Sequence, residues 1–255
     1  MSKIKVAFCL RGAIGYANKD YTNRDAMYTQ TDNYVNYTQC YNSIIRHIVT
    51  PNNTTHTIDF FIHCWTVDLE DELVSLYKPK ARLFEDNRQC ADIINKSCTQ
   101  PGEYSGVSQA LAIKKTIELK EDYEKQNNTT YDLVIVYRPD ILLWKDMDLT
   151  TYTNLEETIY VNAHDDSNGD FHFVMSNQLS AEFKKLFDSL TNNNPHQTHY
   201  YIKNYVTKFM NKNLQKDAII PGTYQEVLRK ISSCLGRSIS QEILDSYLQQ
   251  TTSLL

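Results

Sequence analysis

The sequence predicts an α/β fold: a Rossmann-like front half with a mostly parallel central sheet, followed by a helical C-terminal part. Three observations carry this reading. The run Leu133-Val134-Ile135-Val136 is apolar at consecutive rather than alternate positions, the pattern of a strand covered on both faces. Strand-like and helix-like segments alternate as β-α-β-α-β within the first 85 residues, and such crossovers imply parallel neighbours joined with right-handed connections. Beyond Ser176 the pattern turns mainly helical.

Taken in order, Lys3–Leu10 reads as the first, buried strand. Arg11-Gly12-Ala13-Ile14-Gly15 follows, with two glycines that permit a tight turn and close backbone approach, though not at GxGxxG spacing. Tyr16–Asn33 is polar. A helix is expected over Tyr34–Val49, a loop over Pro51–Thr57, a second strand over Ile58–Trp65, a short helix over Leu69–Tyr77 and a third strand over Ala81–Phe84. Asp86–Cys98 is ambiguous, with a short rim helix as one reading. Ser105–Lys125 is the clearest helix, with Val107, Leu111, Ile113, Ile117, Leu119 and Tyr123 giving it an apolar side. The strand that opens at Tyr131 stops at Arg138-Pro139-Asp140. Proline has no N–H for a ladder and pushes the residue before it out of helical geometry. A second apolar run, Ile141–Trp144, breaks into Lys145, Asp146 and Asp148. Strands at Thr158–Asn162 and Asp170–Met175 flank an acidic turn, Ala163–Gly169. Helices are expected over Leu179–Leu190, His196–Asn211, Tyr224–Cys234 and Ile239–Gln249, with a short strand at Asp217–Ile220. No repeat or low-complexity linker divides the chain. Residues 1–255 read as one domain with a front lobe over 1–148 and a second lobe over 149–255.

Bulk composition narrows the function classes. The chain has 255 residues, 41% hydrophobic and 22% charged, with a net charge of −5, a globular composition that can bury a sizeable core. The acidic balance and the lack of a basic stripe argue against nucleic acid as a partner. Lys3–Leu10 is too short an apolar run for a signal peptide and ends at Arg11, and no run is long enough for a membrane span. The six cysteines include no CxxC pair. Cys9 and Cys64 fall in predicted buried strands, so a reducing, cytoplasmic setting is expected.

Several constellations carry possible chemistry. Arg138 and Asp140 sit where a buried strand ends, and ligands of open α/β sheets bind outside the carboxyl ends of strands. There Asp140 can hold Mg²⁺ or Mn²⁺ and Arg138 can pair with a phosphate, or the two can form a structural ion pair. The acidic turn, with His164, Asp165, Asp166 and Asp170, can supply a metal ligand or a general base, or can be a solvated hairpin carrying an Asn-Gly signal. His63 and Cys64 are adjacent on a strand and point to opposite faces, so they cannot act as a dyad. His63 or Trp65 can line a pocket instead. His196 and His199 share a helix face, with His199 the candidate for the site. Arg11 with Gly12 suits a diphosphate, or is an ordinary turn.

Together these segments resemble a family of GT-A-type glycosyltransferases and related proteins found in capsular-polysaccharide loci and large DNA viruses. The resemblance runs over residues 3–176. It is carried by KVAFCLRG, by Asp59-Phe60-Phe61-Ile62-His63-Cys64-Trp65, by Ser108-Gln109-Ala110-Leu111, by the most specific block from Tyr131-Asp132 to Arg138-Pro139-Asp140, and by Gly169-Asp170-Phe171. It implies a GT-A-like fold and a hexosyl- or pentosyltransferase. A nucleotide-sugar donor would lie against Leu10, Arg11, Gly12, His63, Trp65, Arg138 and Asp140. Mn²⁺ or Mg²⁺ would sit at Asp140, and Asp170 or Asp166 would serve the hydroxyl of a glycan or other acceptor; His199, which lies beyond the resemblance, is a candidate further metal ligand from its helical spacing to His196 alone. Arg138 stands where such enzymes carry the first acid of an Asp-x-Asp motif. On this reading Asp140→Ala abolishes transfer and leaves the fold intact. A catalytically silent binding or scaffold protein on the same fold is the alternative. A nucleotide-dependent phosphoryl transferase would need a Walker-type loop, which is missing from the sequence.

Overall fold

The structure, a computed structural model, describes residues 3–14, 36–98, 103–164, 167–190, 198–218 and 225–227. It opens with β1 (Ile4–Gly12). A helical segment follows as α1 (Tyr37–Ile44), a π-turn over Ile45–Val49 and α2 (Thr50–Asn52). Asn36 caps α1 by accepting from the Gln39 amide. Next come β2 (His56–Cys64), α3 (Glu70–Tyr77) and β3 (Ala81–Phe84). Glu70, Asp71 and Glu72 fill the first turn of α3, where negative charge is favoured. A rim helix, α4 (Ala91–Ser97), precedes the long α5 (Tyr104–Asn127), which ends at left-handed Asn128. Then follow β4 (Leu133–Tyr137), β5 (Ile141–Leu143), β6 (Thr158–His164), β7 (Ser167–Ser176), α6 (Asn177–Phe183), α7 (Leu186–Leu190), α8 (Thr198–Asn204), β8 (Asn213–Lys216) and β9 (Gln225–Val227).

The main sheet has seven strands in the order β3-β2-β1-β4-β7-β6-β8. All neighbours are parallel except those of β7, which runs against β4 and β6. The expected α/β class and mostly parallel sheet are what the chain adopts, and strands from both sides of residue 148 share that sheet. Alternate residues of one strand serve opposite faces. Phe8, Leu10, Ile62 and Ile135 pack with Ile44, Ile48 and Leu73 on one side. Cys9, Phe61, Val134 and Val136 pack with Val107, Leu111 and Ile117 of α5 on the other. Both faces are covered, which is why Leu133–Val136 is apolar without a break.

Four expectations need correction. Residues 225–227, expected in a helix, form β9, which pairs antiparallel with β5 in a separate two-stranded sheet. The apolar run after Pro139 supplies a strand, and its pairing overrides local helical pattern. The single helix expected over Leu179–Leu190 is two, α6 and α7, and α6 starts early because Ser176 caps it through the Leu179 amide. The short strand expected over Asp217–Ile220 lies just upstream, as β8. The expected loop after Pro51 starts later, since proline is tolerated in the first turn of α2. The helix expected over Ile239–Gln249 lies outside the described residues, as does Asp166.

Gly169 has no room for a side chain. A Cβ on Gly169 would sit 2.0 Å from the Asn162 carbonyl oxygen and 2.2 Å from its amide nitrogen. Asn162 also binds the Phe171 amide at 2.7 Å and the His172 amide at 3.2 Å through its side-chain oxygen, so it has no freedom to withdraw. Gly169→Ala should lower stability by about 1–3 kcal/mol, read as a drop in urea midpoint at unchanged m-value.

Candidate functional site

Because β7 runs backwards, its amino end and the carboxyl ends of the other strands meet on one edge of the sheet. Arg11, His63, Asp140 and Asp217 are all buried along it. Arg11 stands one residue before the end of β1, and only 3% of it is exposed. Arg138 follows β4, Asp140 lies two residues on, and Asp170 is near the start of β7. The Arg138 guanidinium grips Asp140 with two prongs, Nε to Oδ1 at 2.9 Å and Nη2 to Oδ2 at 2.9 Å. Its Nη1 contacts Asp170 Oδ2 at 3.4 Å, and the group lies over the Phe171 ring. Arg11 Nη2 donates to the Asp170 carbonyl. Two arginines and two carboxylates therefore form one nearly buried cluster with balanced charge.

The two arginines are not equivalent. Burial pushes the pKa of Arg138 down, but Asp140 and Asp170 outweigh that and raise it above the ordinary arginine value. For Arg11 burial wins over Asp170, and with Arg138 nearby its pKa is pushed down to about 10. Arg11 Nε is buried and has no hydrogen-bond partner among the described residues. Buried donors of native proteins are almost always satisfied, so such an atom calls for a ligand or a water.

A second group flanks the first. The strand register pairs Arg11 with His63, so both project from the same face. His63 is fully buried. Its Nε2 lies 2.9 Å from Glu85 Oε1, Lys115 of α5 donates to the same oxygen, and Trp65 meets the His63 ring edge-to-face at 4.3 Å. His63 Nδ1 is buried without a partner among the described residues. Cys64 points to the opposite face and packs in the core there, so the pair is no dyad, as expected. On α5, Thr116 binds the Leu10 carbonyl at 3.2 Å. Two turns nearer the helix start, the same face carries Gln109, whose Nε2 is also buried and unpartnered among the described residues.

Burial holds His63 below its ordinary pKa of 6.5, against the pull of Glu85 and with the help of Lys115. The unfolded chain therefore binds a proton near pH 6.5 that the native chain refuses. Stability should be full above pH 6.5 and fall as the pH drops from there through the native His63 pKa. The expected slope is up to about 1.4 kcal/mol per pH unit from this residue, read from urea midpoints between neutral and mildly acid pH.

The Tyr131-Asp132 pair, part of the most specific block, is at the opposite edge. Tyr131 donates to Asp59 at 2.8 Å, and Asp132 accepts from the Lys5 amide at 2.8 Å. Both set the register of β4 beside β1 and β2. A buried trio that the sequence does not announce, His172, Asp217 and Tyr152, closes the far end of the carboxyl edge. Asp217 Oδ2 lies 2.8 Å from His172 Nε2 and accepts from the Tyr152 hydroxyl at 2.5 Å. Glu85, Lys115 and Asp217 were missed because each acquires its partner from a distant segment. Their one sequence signal is a charged residue just past a strand, which Glu85 and Asp217 share.

The residues at Asp140 do not fit a divalent cation as they are placed. Both carboxylate oxygens accept from Arg138, and Asp170 turns to the same guanidinium. Among the described residues no group of three or more His, Cys, Asp or Glu side chains could hold a metal ion. The side chain of His199 lies outside the described residues, so it is not placed at the site. Among the described residues no helix is long and apolar enough to cross a membrane.

No protein-family model and no curated protein matches the chain. Among solved structures it is similar to the apo-form glycosyltransferase GlyE of Streptococcus pneumoniae TIGR4, at 13% identity and a TM-score of 0.38, over 85% of this chain and 46% of that one. The chain thus spans about half the length of that structure. The fold is α/β with a mostly parallel seven-stranded sheet. At that distance the likeness says nothing of substrate or residues, which have to be read from this chain's own side chains.

Proposed function

We propose that the protein is a glycosyltransferase, moving a hexosyl or pentosyl group from a nucleotide-sugar donor to a hydroxyl of a glycan or other acceptor. The observation that supports this most is a group of three of the unpartnered buried polar atoms among the described residues, Arg11 Nε, His63 Nδ1 and Gln109 Nε2, together with an arginine pair at the carboxyl edge of a parallel sheet. That edge is where such sheets take nucleotides. In the reaction the bond from the anomeric carbon to the diphosphate oxygen breaks, with its electron pair leaving on the diphosphate. An acceptor oxygen forms the new bond, and its proton passes to a carboxylate, for which Asp170 or Asp166 is the proposed base. Arg11 and Arg138 would stabilise the charge on the leaving diphosphate. A polysaccharide-building role of the capsular or viral kind comes from the motif resemblance alone.

The alternative, a silent binding protein, draws support from the closed Arg138–Asp140 pair, which by itself is also a good strand cap. Incubation with a panel of UDP- and GDP-sugars separates the two. The enzyme should consume one donor and release its nucleoside diphosphate. A silent binder should be stabilised by a nucleotide sugar without turnover. No stabilisation and no turnover with any donor would refute nucleotide-sugar binding itself.

A further inference from the structure

The geometry points to a diphosphate site that carries its own cation: Arg138, clamped between Asp140 and Asp170, occupies the place of a divalent metal, and with Arg11 it binds the donor diphosphate without one. This rests on the nucleotide-sugar reading above. Two carboxylates converging on one point are the usual cradle of a dication. Here the point is filled by a guanidinium that takes both oxygens of Asp140 and one of Asp170. Asp140 is fully buried, and the Arg138 side chain is 15% exposed. A metal entering there would have to expel a partly buried, bidentate arginine and leave its charge facing a second cation, a costly exchange.

The cluster as it stands is also suited to an anion. The contacts to Asp140 and Asp170 leave N–H capacity on Arg138 Nη1 and Nη2. Arg11 adds the unpartnered Nε, reached from the neighbouring strand. Arginine forks match phosphate oxygens in two-pronged fashion, which a strongly hydrated dication does not need to be present to achieve. Asp140 then acts as a positioning residue: its two contacts hold the Arg138 fork fixed and keep it charged before the ligand arrives.

The test is calorimetric titration of the full-length protein with UDP and with GDP, once in excess EDTA and once in excess MnCl₂. One nucleotide should bind equally well in both. Arg138→Gln should weaken that binding by about tenfold or more, and again equally with and without Mn²⁺. Arg138→Asp, which adds a third carboxylate beside Asp140 and Asp170, should bind the nucleotide only when Mn²⁺ is added. Because that variant crowds three acids and can fail to fold, circular dichroism is read alongside, and Arg138→Gln alone decides if it does. Wild-type binding that disappears in EDTA overturns the inference while leaving sugar transfer standing. So does an Arg138→Gln variant that binds like the wild type. Absence of binding by either nucleotide in both buffers, in a protein that also consumes no nucleotide sugar, overturns the donor reading itself and this inference with it.

Discussion

Asp140→Ala should cost about 3–5 kcal/mol of stability as well as activity. The carboxylate is fully buried and holds Arg138 by two hydrogen bonds of 2.9 Å. Removing one member of such a pair strands the other charge in a low-dielectric setting. Asp170 stays in reach of Arg138, which places the loss towards the lower end of that range. The sequence alone suggests a change confined to chemistry, and the two-pronged buried pair is why the fold is involved too. Asp140→Asn keeps the shape and one acceptor, so it should cost less stability than the alanine variant while still releasing Arg138 from its fixed orientation. Urea midpoints of the three proteins give the comparison. A wild-type midpoint for Asp140→Ala would mean the pair is not buried as placed.

Arg11→Met should do the reverse, sparing stability and removing binding. Arg11 is a nearly buried charge whose pKa burial pushes down to about 10, and one of its nitrogens is unpartnered among the described residues. An apolar chain of similar length there should leave stability within about 1 kcal/mol of wild type, since exchanging a poorly compensated buried charge for a hydrophobe is often neutral or favourable. Nucleoside diphosphate affinity should drop by about ten- to a hundredfold, the worth of one or more charge-assisted hydrogen bonds. Equal losses of stability and affinity would instead mark Arg11 as a strut between β1 and β7.

The sheet was legible because its signals are local. The unbroken apolar run of β4, the proline that ends it, and the alternation of strands and helices up to β3 need no partner to be read. Where local pattern and pairing disagreed, pairing won: β9 forms opposite β5 from a segment with helical periodicity. The place of Arg11, Arg138 and Asp140 was legible for the same reason, as Arg11 lies at the carboxyl end of one buried strand and the other two follow another. Their mutual geometry was not. Sequence puts Asp140 two residues after Arg138 but does not say that both its oxygens are used by that neighbour. Nor does it join Arg11 to Asp170, which are 159 positions apart. Glu85 and Lys115 around His63 became visible only through the packing of α5 on the sheet.

Binding at the carboxyl edge is tested most directly by a crystal structure of the protein with the nucleotide sugar that stabilises it. The diphosphate should lie within hydrogen-bonding distance of Arg11 Nε and the Arg138 guanidinium, with the nucleoside extending past β1 towards His63 and Gln109. A donor bound elsewhere on the molecule, with Arg11 Nε still unengaged, would contradict it.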